Sequence, residues 1–379
     1  MPNWESNLER WTNAGLIDAA LAQRIRDLES THGGTEGTRA TRWPVIIAIV
    51  FGCVLVGAGV LLFVAAHWDN LSPAQRFALV LSMVAGFHLA AAFLTGKFSQ
   101  LSSGLHGVGT IALGAGIFLS GQIFNLEEHW PGGIMLWALG AALAWWILRD
   151  WVQATLTALL VPAWLAGEWE MRVSEVYHRG DVVMASALLL LAVSYFTATQ
   201  RGENSYLRRA LATVGAIAFI PLVFATIIAA IEDFHYTWQT KHALPFNWQA
   251  TGWMLGVGAP LLLAFLLQGK DVWLNGLSAV WVIVLAWICM QEKAEDDPLV
   301  YLWCLVGAIG MIYWGVREFR KERINIGFAS FVITVLGFYF SNFLDKFGRA
   351  NALISLGLVF LLGGWFLEKT RRRLVAKIS

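Results

Sequence analysis

Runs of about 20 apolar residues recur along the whole chain, and they constrain its fold more than any other feature. At 1.5 Å of rise per residue, one such run crosses the roughly 30 Å hydrocarbon layer of a bilayer as a helix. Twelve are readable, near 45–66, 74–95, 105–124, 132–149, 151–167, 181–199, 208–231, 249–268, 272–290, 298–316, 323–344 and 350–367. A spanning backbone must satisfy its own hydrogen bonds in lipid, so the runs read as helices. They are continuous, not alternating in stretches of about ten residues as membrane barrels do. Composition agrees: 57% of residues are apolar and 14% charged, against about 25% charged in a soluble domain. The expected fold is all-α, a polytopic transmembrane bundle of about twelve spans over 45–367. A cytoplasmic segment 1–44 precedes it and a basic tail 368–379 follows. The first 44 residues are polar and carry no fitting cleavage site, so the first span is expected to stay as an anchor.

The pair 132–149 and 151–167 is separated only by Asp150, beside Arg149. A charged dipeptide there predicts a tight hairpin. Pro162 and Gly167 make the fifth span short, and a re-entrant segment at that point would change the count by one.

Charge sets the orientation. With twelve spans both ends share a side, and 20 of the 27 Lys and Arg residues then fall on it. The other side holds Arg76, Arg172, Arg179, Lys241, Lys293, Lys346 and Arg349. The positive-inside rule places both termini in the cytoplasm. Many acids, including Glu168, Glu170, Asp233 and Glu295, fall outside, either as solvated loop charge or as a face that concentrates cations. A near-neutral total (27 basic against 26 acidic side chains) gives no field for nucleic acid. The 20 tryptophans read as interfacial belts at span ends, such as Trp43, Trp130 and Trp273, and as packing residues where they lie deeper, such as Trp281 and Trp287. Cys53, Cys289 and Cys304 give neither a disulfide framework nor zinc spacing and read as reduced.

Residues 3–30 are too polar to span. Leu8, Trp11, Leu16, Ile17, Leu21, Ile25 and Leu28 recur at three- and four-residue intervals. Asn13-Ala14-Gly15 interrupts the pattern, and Asp18 is placed to cap a second helix. Two short amphipathic helices forming a hairpin are expected, followed by a flexible tether at 31–42. The hairpin would rest on the membrane, dock on the bundle or engage a protein partner.

Several of these residues form a family pattern. Trp11…Gly15-Leu16-Ile17-Asp18…Ala22…Ile25, a glycine-rich first span ending Phe63-Val64-Ala65-Ala66-His67-Trp68, and Gly121-Gln122-Ile123-Phe124-Asn125-Leu126 resemble the bacterial predicted-membrane-protein family called domain of unknown function 2157. The likeness covers about the first 150 residues. The tyrosine usual after Gly-Gln is replaced here by Ile123-Phe124. The resemblance implies a bacterial inner-membrane protein and supplies no activity.

Candidate chemistry gathers at the expected outer ends of the first and third spans. His67, Trp68 and Asp69 would lie at the depth of Gln122, Asn125, Glu127, Glu128 and His129, with Gln122 and Asn125 on one helix face. The fifth and eleventh spans bring Glu168, Asn342 and Asp345 to the same side. An outward polar pocket for a small solute, an ion or a lipid is one reading. Interhelical hydrogen bonds and solvated acids are the other. His88 falls within the second span and His106 opens the third, and no carboxylate lies deep in a span to form a proton chain. Glycines crowding the first and third spans read as close-packing positions.

No His-Glu-x-x-His, Walker loop or Cys-x-x-Cys is present, and no histidine follows residue 242 to serve Ser278 as a base. The expectation is a non-enzymatic protein without cofactor or metal. It would bind or transport a small ligand; the alternative is an assembly or sensing protein acting through residues 3–30.

Overall fold

The computed structural model describes residues 8, 11–32, 71–96, 98–124, 129–177, 181–199, 205–240, 245–291 and 298–342, together with a few isolated positions. Among them the chain forms α-helices and one 3₁₀ turn, with no strand. Seven of the described helices are long and apolar enough to cross a membrane. Ten of the twelve expected runs coincide with described helices, whereas 45–66 and 350–367 lie outside the described residues apart from isolated positions. The chain divides into two compact units, Met1–Asn125 and Leu126–Ser379.

In the first unit, the break expected at Asn13-Ala14-Gly15 is a left-handed helix stop. Gly15 has φ +69°, its N–H donates to Thr12 O at 3.0 Å, and Leu16 N–H donates to Trp11 O at 3.0 Å. That bond pair satisfies carbonyls a helix end would otherwise leave open. Helix α1 (Ala19–His32) follows, with Leu21 N–H donating to Asp18 Oδ1 at 2.6 Å as anticipated for a cap.

Helices α2 (Pro73–Leu94) and α3 (Ser99–Phe124) pack against each other. α2 opens on a capping box: Gln75 N–H donates to Ser72 Oγ, and Ser72 N–H donates to Gln75 Oε1 at 2.8 Å. At the far end Ser102 Oγ donates to Ala91 O at 2.8 Å, fixing the turn into α3. Two of the glycines expected to serve close packing do so. A Cβ at Gly116 would lie 2.4 Å from Val80 Cγ1, and one at Gly109 would lie 2.9 Å from the ring of His88. His88 is not alone in its span, because its Nδ1 lies 2.8 Å from Nδ1 of His106.

The second unit begins with α4 (Trp130–Leu148) and α5 (Trp151–Tyr177), packed as the pair anticipated from Asp150. Arg149 takes the left-handed conformation, φ 54°, and Asp150 Oδ1 accepts from Gln153 N–H at 2.8 Å to start α5. α5 runs on through Pro162 and well beyond the expected end at 167. Its last turns are polar (Glu168, Glu170, Arg172), so helix propensity carries it past the apolar run that marked its end in the sequence.

α6 (Asp181–Phe196) is the most enclosed helix of this unit. Its 16 residues span about 24 Å at 1.5 Å each, and most of them are buried by neighbouring helices. α7 (Tyr206–Thr240), α8 (Phe246–Gln268) and, after a 3₁₀ turn at Gly269–Val272, α9 (Trp273–Cys289) all pack on it. Glycines set the approach here too, since a Cβ at Gly215 would lie 2.4 Å from Ala192 O and one at Gly256 2.9 Å from Ala187 Cβ. α10 (Pro298–Arg317) and α11 (Lys321–Asn342) form a further pair, with α10 also against α9. Cys289 and Cys304 are free thiols. Large apolar side chains remain on outer helix faces, for example Phe93 at 84% and Met254 at 72% exposure. In water such surface would drive association; in a bilayer the acyl chains cover it.

Candidate functional site

Of the residues expected to form an outward pocket, His129 and Glu168 are those whose side chains are described. His129 precedes α4 and donates from Nε2 to Glu168 Oε1 on α5 at 3.0 Å, so Nε2 carries a proton. Trp164 Nε1 donates to the same oxygen at 3.1 Å, and Arg172 Nε lies 4.0 Å from Glu168 Oε2. Trp164, Glu168 and Arg172 are spaced i, i+4, i+8 and so share one face of α5. The hydrogen bond from His129 is the main cause that holds the Glu168 carboxyl below its ordinary range, opposed by partial burial and assisted by Trp164, with Arg172 adding attraction. Close packing brings the two helices together: a Cβ at Gly167 would lie 2.6 Å from the Trp130 ring. Gln122 lies in the last turn of α3 and Asn342 ends α11, but their side chains are outside the described residues. His67, Trp68, Asp69, Asn125, Glu127, Glu128 and Asp345 also lie outside them.

A second polar cluster joins α6, α8, α9 and α11, and sequence reasoning missed it. Thr197, just after α6, accepts at Oγ1 from Gln268 Nε2 at 2.6 Å and from Asn275 Nδ2 at 3.0 Å, while donating to Val193 O at 2.8 Å. Arg323 is 2% exposed. It pairs with Glu318, stacks 5.1 Å over the Trp314 ring and reaches Thr197 O at 3.5 Å. Arg208 donates to Ala198 O at 2.9 Å and Leu267 O at 2.7 Å. Two guanidinium groups therefore cover carbonyls at the negative ends of α6 and α8. The cluster is a clamp between helix ends. Its signal in the sequence was one of position, since Thr197, Gln268, Asn275 and Arg323 all stand at ends of apolar runs. Spacing does not say which ends converge.

The third feature is a cavity of about 220 Å³ bounded by α7, α9, α10 and α11. Phe219, Val223 and Ile227 line it from α7, Trp281 from α9, Tyr301 and Cys304 from α10, and Ser330 and Thr334 from α11. Thr334 Oγ1 is satisfied by Ser330 O at 2.8 Å, whereas the buried Ser330 Oγ has no hydrogen-bond partner among the described residues. The wall is therefore largely apolar and aromatic.

Residues 9–154 match the family model described as predicted membrane protein (DUF2157). No curated protein and no solved structure matches the chain. The DUF2157 match begins ahead of the helix stop at Gly15 and runs through α1 to α4 into the first turn of α5, taking in His88, His106 and His129. Glu168, the Thr197 cluster and the cavity lie beyond the DUF2157 segment. Together, the match and the apolar helices indicate a membrane protein, and the description of the matched family carries no activity.

Proposed function

We propose that the chain is a non-enzymatic protein of a bacterial inner membrane, with both termini cytoplasmic, that binds a small apolar or lipid-like ligand in the cavity between α7, α9, α10 and α11. The lining of that cavity carries the reading. On the expected threading, Ile231, Val300 and Gly337 stand toward the outer leaflet, so the cavity belongs to the outer half of the bilayer. Its 220 Å³ falls below the roughly 300–1,000 Å³ of drug-sized sites, which suits one alkyl chain better than a whole lipid. An ion would find few oxygen ligands on such a wall. The His129–Glu168 pair is the described part of the expected polar pocket and would face the same side.

Ligand retention tests this. Full-length protein purified in mild detergent is expected to carry one alkyl-chain ligand detectable by native mass spectrometry, and Thr334→Trp is expected to abolish retention without lowering thermal stability. Equal retention by the filled variant, or none by the wild type, removes the proposal.

A second reading, partner engagement by the N-terminal segment, is favoured by one observation. Leu21 and Leu28, two helical turns apart on α1, are 46% and 59% exposed, while Ala22 is buried. Crosslinking of a protein partner that is lost in Leu21→Ser plus Leu28→Ser, yet unaffected by Thr334→Trp, would establish it.

A further inference from the structure

His88 on α2 and His106 on α3 face each other with their Nδ1 atoms 2.8 Å apart and ring centroids 5.1 Å apart. His106 is buried and His88 half-buried. The α3 backbone makes the approach feasible, because a Cβ at Gly109 would lie 2.9 Å from both Cδ2 and Nε2 of His88. Any larger residue at that position displaces the ring.

The contact restricts how many protons the two rings hold. Two bare nitrogens at this separation would repel, and so would two N–H groups. One Nδ1 therefore carries a proton and the other accepts it. In the neutral pair the donor ring is the Nδ1–H tautomer and the acceptor ring the Nε2–H tautomer. One added proton fits, on Nε2 of the donor ring, which becomes an imidazolium. The bridging bond is then charge-assisted, and its proton can reside on either Nδ1. A second added proton would take the acceptor's remaining lone pair. Two cations would then oppose N–H to N–H, and the contact would open.

Few charged residues stand on the two helices that carry the pair. On α2 the charged side chain is Arg76, about three turns from His88. α3 carries no acidic or basic residue besides His106. Thr110 Oγ1 donates to His106 O at 3.1 Å and offers no charge. α2 and α3 thus bring no carboxylate of their own, and each imidazole lies within hydrogen-bond reach of the other.

We propose that His88 and His106 form an intramembrane binding site for one proton shared between the two rings. The pair keeps α2 on α3 with no added proton or one, and it parts when a second arrives. This site is independent of the cavity and its ligand.

Nitrogen-15 NMR of histidine-labelled full-length protein in lipid bilayers tests the proposal, with the two rings assigned through His88→Gln and His106→Gln. In the wild type, both rings are expected to respond in one joint step that takes up a single proton per chain. Each Gln variant should lose that step, and the double variant should lose nothing more. Gly109→Ala, which retains both histidines, should replace the joint step by two separate ones. Independent titration of the two rings in the wild type, or no response of either ring while the chain stays folded, overturns the proposal irrespective of how the variants fold.

Discussion

Trp281 on α9 and Trp303 on α10 hold each other by a reciprocal bond: each indole N–H donates to the other's backbone carbonyl, at 3.0 and 2.9 Å. Two large side chains thereby fasten a helix pair without an unpaired N–H in an apolar setting. They are not equivalent, because the Trp281 ring also lies on Gly307 and lines the cavity. Hydrogen bonds between helices in membranes average about 0.6 kcal/mol. Trp303→Phe should therefore cost about 1 kcal/mol or less in detergent-mixture unfolding and leave ligand retention intact. Trp281→Phe should cost a similar amount but change retention, because it alters the cavity wall.

The Arg323–Glu318 pair should dominate the stability of the clamp. Glu318→Ala would leave a guanidinium of 2% exposure without its carboxylate. Loss of one partner of a buried pair costs about 3–5 kcal/mol. Thermal unfolding of the purified chain should show a loss of that order. Replacement of the exposed Lys321 should leave stability unchanged within about 0.5 kcal/mol.

Packing of α2 on α3 should show coupling between two positions. Gly116→Ala places a methyl where Val80 Cγ1 stands, at 2.4 Å, and should destabilise the pair. Val80→Ala should restore most of the loss, so the double variant should be more stable than the sum of the single effects. A strictly additive result would mean that the helices shift apart at little cost.

Acid should weaken the α4–α5 contact. The folded-state pKa of Glu168 is lowered, chiefly by the hydrogen bond from His129. Its contribution is therefore fully present above its unfolded value and is lost as pH falls through the folded one. His129→Ala should bring the Glu168 carboxyl back toward its ordinary range. Infrared difference spectroscopy of the carboxylate band, compared between wild type and variant during acid titration, measures that change.

Much of the fold was legible because one physical requirement, a lipid-compatible helix, writes itself as long apolar runs. The break at Arg149-Asp150, the helix stop at Gly15 and the cap at Asp18 could also be read, since each depends on residues close in sequence. The end of α5 could not. Glu168 to Tyr177 are polar enough to look like a loop, yet they continue a helix that α4 and α7 already support. The functional features were harder still. His88 and His106 were visible singly, but their pairing depends on Gly109 being the residue beneath the His88 ring. Thr197, Gln268, Asn275 and Arg323 are far apart in sequence, and only packing of four helices makes them neighbours.

The orientation that gives the cavity an outer leaflet rests on the threading of the chain, and accessibility of single cysteines measures that threading. In a variant lacking Cys53, Cys289 and Cys304, Arg172→Cys at the polar end of α5 and Lys321→Cys at the start of α11 lie on opposite sides of the expected bilayer. An impermeant thiol reagent added to intact cells should label Arg172→Cys, and it should label Lys321→Cys only after the cells are broken. Labelling of both positions in intact cells, or of neither until lysis, would refute the orientation and, with it, the outward-facing ligand site.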